Sequence, residues 1–151
     1  MKLEIHLLNC MWLLFPLIAW NIILGPKLVD PRLTSDAHSA AWQLYAENGV
    51  RIFVFALPLL IPLQLQDTMS RTGITVYIIG MLVYFASWLP LMFAPQSSWS
   101  QSSIGVLAPF ITPLLVFGGI AMIGRSLLYG VSSVLFIILH TGHGIQNLSF
   151  G

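Results

Sequence analysis

Histidine is the residue type in this sequence that most readily does chemistry near neutral pH, because an imidazole can exchange its proton there. His140 and His143 stand three residues apart near the end of the last apolar segment. His38 lies in the one long polar connection, an even number of predicted spans away and therefore on the same side of the membrane. These three side chains could bind the polar part of a ligand, transfer a proton or hold a metal ion. The alternative is that they are interfacial residues that hydrogen-bond backbone groups or lipid phosphates.

Charged side chains accompany the histidines in this layer. Asp30, Asp36 and Glu47 supply carboxylates, and Arg51 follows Glu47 at the spacing of a helical ion pair. Imidazole and carboxylate together suit zinc or iron. However, His-Thr-Gly-His lacks the Glu and the four-residue step of a helical zinc-protease motif, and no second histidine pair could complete a bis-histidine haem site. The sequence therefore assigns no metal ligand and leaves the cofactor unknown.

Other reactive motifs are missing from the sequence. It contains no Gly-x-Ser-x-Gly, no glycine-rich phosphate loop, no Cys-x-x-Cys and no acidic residue within a predicted span. Hydrolase, nucleotide-driven and proton-relay functions therefore lack their reactive groups. A net charge of +1 without a basic run excludes nucleic acid as a partner.

Composition indicates which elements position these residues. Of 151 residues, 57% are hydrophobic and 7% are charged, against roughly 25% charged in soluble domains. The chain is thus predicted to be an integral membrane protein, an all-α bundle of five transmembrane helices forming a single domain over residues 1–151. The predicted spans are Leu7–Gly25, Val50–Leu65, Ile74–Ala94, Ile104–Ile123 and Leu127–Gly144.

The connection after the first span is predicted to contain a short interfacial helix. Ser35 or Asp36 can cap its N-terminus, and good helix formers follow. Trp42 and Tyr45 stand three residues apart, which suits a helix lying at the membrane–water interface.

Paired prolines in two predicted spans indicate bent helices. Pro58 and Pro62 stand four residues apart in the second span, and Pro109 and Pro113 do so in the fourth. Each proline removes a backbone donor and frees a carbonyl, so kinks are expected that open a cavity in the bundle. Trp88 is predicted to line that cavity.

A stripe of small residues on the last helix predicts which way its histidine faces. The stripe consists of Ser126, Gly130, Ser133, Ile137, His140 and Gly144. Small residues mark the face on which membrane helices approach each other, so His140 is expected to point into the bundle. A buried imidazole there requires a polar partner, for which Asp30, Asp36, His38 and Glu47 are the nearest residues by layer.

The leading hypothesis is a protein that binds a lipid-like or other apolar small molecule, such as a lipid or isoprenoid, in a kinked bundle. The polar outer end of that pocket is predicted to consist of His38, Glu47, Arg51, Trp88, His140 and His143. One alternative is an accessory or structural subunit of a larger membrane complex, with partner subunits. A second alternative is a metal- or haem-dependent membrane enzyme.

Orientation in the bilayer depends on the distribution of Lys and Arg. The two sides carry three basic residues each, namely Lys2, Arg71 and Arg125 against Lys27, Arg32 and Arg51. The uncharged serine-rich link after the third span favours export of that side. The N-terminus is therefore predicted to be cytoplasmic and the C-terminus outside.

Overall fold

The computed structural model of the chain describes residues 8–27 and 41–150, with side chains up to residue 146. Its α-helices are α1 (Met11–Leu24), α2 (Ala41–Ala56), α3 (Thr68–Phe93), α4 (Ser98–Gln101), α5 (Ser103–Ile111), α6 (Pro113–Ile123) and α7 (Leu127–Phe150). Short 3₁₀ turns, Gly25–Lys27 and Leu57–Leu60, follow α1 and α2. The described residues form no β-strand, and the predicted all-α class is confirmed.

Three helical stretches are long and apolar enough to cross a membrane. They are Thr68–Phe93, Ser103–Ile123 and Leu127–Gln146, and the second combines α5 with α6. The first apolar stretch, Met11–Lys27, is shorter than a typical span of about 20 residues. These lengths are compatible with an integral membrane protein, but they do not support the predicted count of five spans.

The second predicted span, 50–65, is not a continuous helix. Helix α2 already begins at Ala41 and ends at Ala56, so Trp42 and Tyr45 belong to the same helix as the start of that span. The proposed N-caps Ser35 and Asp36 lie outside the described residues.

Prolines explain why α2 stops where it does. Pro58 falls in the 3₁₀ turn, and Ile61 is extended (φ −99°, ψ 116°) because the α conformation is disfavoured before Pro62. The extended segment then runs beside the start of α1, where the Cys10 N–H donates to the Ile61 carbonyl at 2.9 Å. The first proline pair thus terminates a helix, and the predicted bend within a spanning helix is wrong here.

The second proline pair interrupts the span formed by α5 and α6. Pro109 lies inside α5 and Pro113 begins α6, with Thr112 between the two helices. Pro113 has no N–H to donate to the Pro109 carbonyl. The Ala108 carbonyl accepts both the Thr112 N–H at 3.0 Å and the Thr112 hydroxyl at 2.8 Å, which strengthens the last turn of α5.

Helices α3 and α6 pack against each other through glycines. A Cβ added to Gly80 would come within 2.8 Å of the Val116 nitrogen, and one added to Gly119 within 2.6 Å of the Tyr77 nitrogen. A Cβ added to Gly73 would lie 2.9 Å from the Gly119 carbonyl oxygen. The two backbones therefore approach as closely as small residues permit, which fixes the centre of the bundle.

The remaining contacts bring α2 and α7 together in opposite directions. The Gln43 amide donates to the Leu139 carbonyl at 3.2 Å, whereas Phe55 packs edge-on against Phe136. The first turns of α2 therefore meet the last turns of α7. On the other side of the bundle, α1 runs along α3, and Tyr84 donates to the Asn21 side-chain oxygen at 2.9 Å.

Candidate functional site

Glu47 is the centre of a buried polar cluster between α2 and α7. Its side chain is 2% exposed, and each carboxylate oxygen meets a different histidine. The Nδ1 of His140 lies 2.9 Å from Oε1, and the Nδ1 of His143 lies 3.0 Å from Oε2. The guanidinium of Arg51, one helical turn after Glu47, also pairs with Oε1. An ionised carboxylate only accepts hydrogen bonds, so both Nδ1 atoms donate.

The same contacts keep Glu47 ionised. Burial raises the pKa of the Glu47 carboxyl, but the hydrogen bond and charge of His140, the charge of Arg51 and the hydrogen bond from His143 outweigh it. Together they lower this pKa from its ordinary value of 4.5 to about 2. Glu47 therefore holds a proton on the Nδ1 of His140 and leaves Nε2 as the ring atom that does not contact the carboxylate.

Aromatic rings hold His140 in place. Its imidazole stacks on Phe136 with an interplanar angle of 12° and a centroid distance of 5.2 Å. Phe110 of α5 contacts the imidazole with a centroid distance of 4.7 Å. The Arg51 guanidinium carbon lies 5.9 Å from the centroid of the Phe136 ring, within range of a cation–π contact. The charged cluster is thus positioned by packing as well as by hydrogen bonds.

A cavity of about 410 Å³ opens beside this cluster. Its walls come from α1, α2, α3, α5, α6 and α7, and most of the lining side chains are apolar. Pro109 and Pro113 both line it, so the break between α5 and α6 forms part of the wall. The polar lining residues are Asn21, Arg51, Tyr84, Trp88 and His140.

Residues of α1 and α3 form a second polar part of the cavity wall. The side-chain oxygen of Asn21 accepts a hydrogen bond from the Tyr84 hydroxyl, and its amide N–H donates one to the Leu17 carbonyl at 2.7 Å. Trp88 packs edge-on against Tyr84 and is 6% exposed. Its buried indole N–H has no hydrogen-bond acceptor of standard geometry, although the Tyr84 side chain is adjacent. Asn21 and Tyr84 therefore provide the polar groups of this part of the cavity wall.

The predicted site residues fall into three groups in the structure. Glu47 and His143 lie in the buried cluster. Arg51 and His140 belong to that cluster and also line the cavity, whereas Trp88 lines the cavity only. His38 lies outside the described residues, as do Asp30 and Asp36. The role of all six predicted residues in binding stays a prediction.

Sequence reasoning missed several residues of the cavity wall. Tyr84 and Asn21 carry a usable signal, since each is a polar residue within an apolar helix. Phe110 and Phe136 carry no such signal, because an aromatic residue in a membrane helix can equally face lipid, a neighbouring helix or a cavity.

The His, Cys, Asp and Glu side chains in the described part of the chain do not cluster as metal ligands do. No group of three His, Cys, Asp or Glu side chains there is arranged to hold a metal ion. In the cluster around Glu47, the Nδ1 atoms of both histidines are directed at the carboxylate.

No protein-family model, curated protein or solved structure matches this chain. Function must therefore be argued from the cluster and the cavity themselves.

Proposed function

We propose that this protein binds an amphipathic, lipid-like molecule within the membrane. The apolar part would occupy the cavity, and the polar head would lie at Arg51 and His140. The supporting observation is the cavity of about 410 Å³, mostly apolar with a few polar groups. Small-molecule sites typically have volumes of about 300–1,000 Å³ and this kind of lining.

We also propose that α1 and the part of α2 from Val50 onward lie within the apolar phase and complete a bundle of five segments. Both helices contribute to the cavity wall. Both also expose large apolar side chains on the outside, among them Phe15 and Ile23 on α1 and Ile52 on α2. Such side chains favour contact with lipid over contact with water.

A chain-length series tests the proposed binding. The ligand is transferred from lipid, which is about as apolar as the cavity, so affinity is expressed per mole fraction of ligand in the lipid and should be highest for the chain that fills the cavity. Saturated alkyl ligands of increasing length would be titrated against the purified protein in nanodiscs, with Trp fluorescence as the readout. Affinity should pass through a maximum at the chain length that fits the cavity and fall for shorter and longer chains.

A cavity-filling variant locates the site. Ile18→Phe enlarges a side chain of the cavity wall and should weaken binding of the best alkyl ligand about tenfold or more, the order of effect expected when a fitted pocket is overfilled. Ile23→Phe makes the same change on the exposed face of the same helix and should leave affinity unchanged. Equal affinities of the two variants, or an affinity independent of chain length, would contradict the proposal.

The two other functional hypotheses have no observation of their own to support them. The outward face of α7 exposes Leu127, Val131 and Leu135, but an apolar face suits lipid as well as a partner subunit. Binding of a defined amphiphile is the function that the cavity and its polar lining favour.

A further inference from the structure

We propose that the head of the bound molecule is a carboxylic acid, held as its carboxylate between the guanidinium of Arg51 and the imidazole of His140. The ligand class is thus a single-chain fatty acid. This inference rests on the proposed function and specifies the substrate class of the same site. It follows from the charges and hydrogen-bonding groups that line the cavity.

The cavity wall carries a cation and no anion among its described lining residues. Arg51 is its one formally charged group there, and the remaining polar residues are neutral or titratable. Glu47 is not part of the wall, and its oxygens already accept from Arg51, His140 and His143. One guanidinium nitrogen of Arg51 is used for Glu47, and a guanidinium has five N–H donors in a fork that fits a carboxylate.

His140 supplies the second contact and accepts the proton of the acid. Its Nδ1 donates to Glu47, which leaves Nε2 as the basic atom of a ring that lines the cavity. A protonated fatty acid transfers its carboxyl proton to Nε2: the O–H bond breaks, an N–H bond forms, and no further reactant is needed. The resulting imidazolium lies between two carboxylates, those of Glu47 and of the ligand.

Charge balance favours this arrangement in an apolar setting. Before binding, the negative charge of Glu47 and the positive charge of Arg51 sum to zero. After proton transfer, the added carboxylate and the new imidazolium again sum to zero. A neutral acid can therefore enter from the lipid phase, and every charge that forms is paired, which avoids the cost of an isolated buried ion.

The charged and titratable groups around His140 are all accounted for in the described residues. Helix α2 presents Glu47 and Arg51 to it, α7 itself contributes His143, and α5 contributes the ring of Phe110. Arg51 supplies further N–H donors at this end of the cavity. Donors thus predominate, and an acceptor-rich head fits them better than a hydroxyl group does.

The test compares three ligands with one chain length: dodecanoic acid, its methyl ester and dodecan-1-ol. Each is titrated against the full chain in nanodiscs. The acid should bind about tenfold or more tightly than the other two, as expected for charge-assisted hydrogen bonds. Arg51→Gln should reduce the affinity for the acid to that for the alcohol and leave the alcohol unchanged. Arg71→Gln, an equal loss of charge on an exposed residue of α3, should change none of the three affinities.

A second measurement reports the ionisation of the bound head directly. The ¹³C chemical shift of carboxyl-labelled dodecanoic acid should be that of a carboxylate in the wild-type site at pH values where the acid in protein-free nanodiscs is protonated. His140→Gln should remove this difference while Arg51 is still present. If Arg51→Gln does not fold, Arg51→Lys serves instead and should retain the preference for the acid.

The possible failures are distinguishable. If the ester and alcohol bind as tightly as the acid, the head-group assignment is wrong and amphiphile binding stands. The same assignment is overturned if the acid keeps its preference in Arg51→Gln, or if the bound acid titrates as it does in protein-free nanodiscs. If none of the three ligands binds, the proposed function itself is wrong.

Discussion

Replacement of Glu47 by Gln is the sharpest probe of the cluster between α2 and α7. Glu47 is 1% exposed and accepts hydrogen bonds from two histidines and an arginine. The amide of Gln has one acceptor oxygen, so it keeps one imidazole donor and sets an N–H against the other. The second histidine must then change its tautomer or lose its bond. The Arg51 guanidinium also loses its anionic partner.

The structure gives the magnitude of this effect. A hydrogen bond to a charged group contributes about 1.5–3 kcal/mol, and we expect one such bond to be lost outright. The loss at Arg51 adds little, because its side chain is 44% exposed and solvent screens the pair. Glu47→Gln should therefore lower the free energy of unfolding by about 1.5–3 kcal/mol.

The assay is equilibrium unfolding in mixed detergent micelles, followed by circular dichroism, with Asp67→Asn as the matched control. Asp67 caps α3 by accepting from the Ser70 N–H at 2.7 Å, and it pairs with Arg125 at the exposed opposite end of the bundle. Asn is an equally good N-cap, so this variant should lose far less stability. Equal losses in the two variants would refute the reasoning, because the buried cluster would then matter no more than an exposed pair.

Three further predictions follow from other features. The pKa of Glu47 is lowered from 4.5 to about 2, so its contribution to stability is complete above about pH 4.5 and is lost as the pH falls towards 2. When unfolding is measured against pH, the wild type should therefore lose more stability than Glu47→Gln over this interval. Gly80→Ala should cost about 1–3 kcal/mol in the same unfolding assay, since its Cβ would overlap the α6 backbone, whereas Gly118→Ala, which meets nothing within 4 Å, should not destabilise. With Cys10 replaced, a cysteine at Ser98 should react with an impermeant thiol reagent only from outside the cell, and reaction only from the cytoplasm would reverse the predicted orientation.

The longest apolar segments were predictable because a helix satisfies its backbone hydrogen bonds within its own segment. The third, fourth and fifth predicted spans correspond to α3, the pair α5 and α6, and α7. Helix α3 starts at Thr68, earlier than the predicted Ile74, because Asp67 caps it. The second predicted span was wrong because hydropathy does not register the helix-ending effect of Pro58 and Pro62, which leave Ile61 extended.

The inward face of the last helix was also readable in advance. In the structure, Ser133 and Gly144 of the predicted stripe are buried, and His140 contacts Glu47 and two aromatic rings. Helical periodicity alone places these residues on one face.

By itself, the sequence determined that this chain forms apolar helices, because a backbone in hydrocarbon must satisfy its hydrogen bonds internally. It also determined that His140 shares a face with the small residues of α7. Tertiary structure alone decided that Glu47 pairs with histidines 93 and 96 residues away, and that six helices leave a cavity beside that pair. The physical reason is that lipid and protein interior are equally apolar, so hydropathy does not specify which helices become neighbours or where a cavity forms between them.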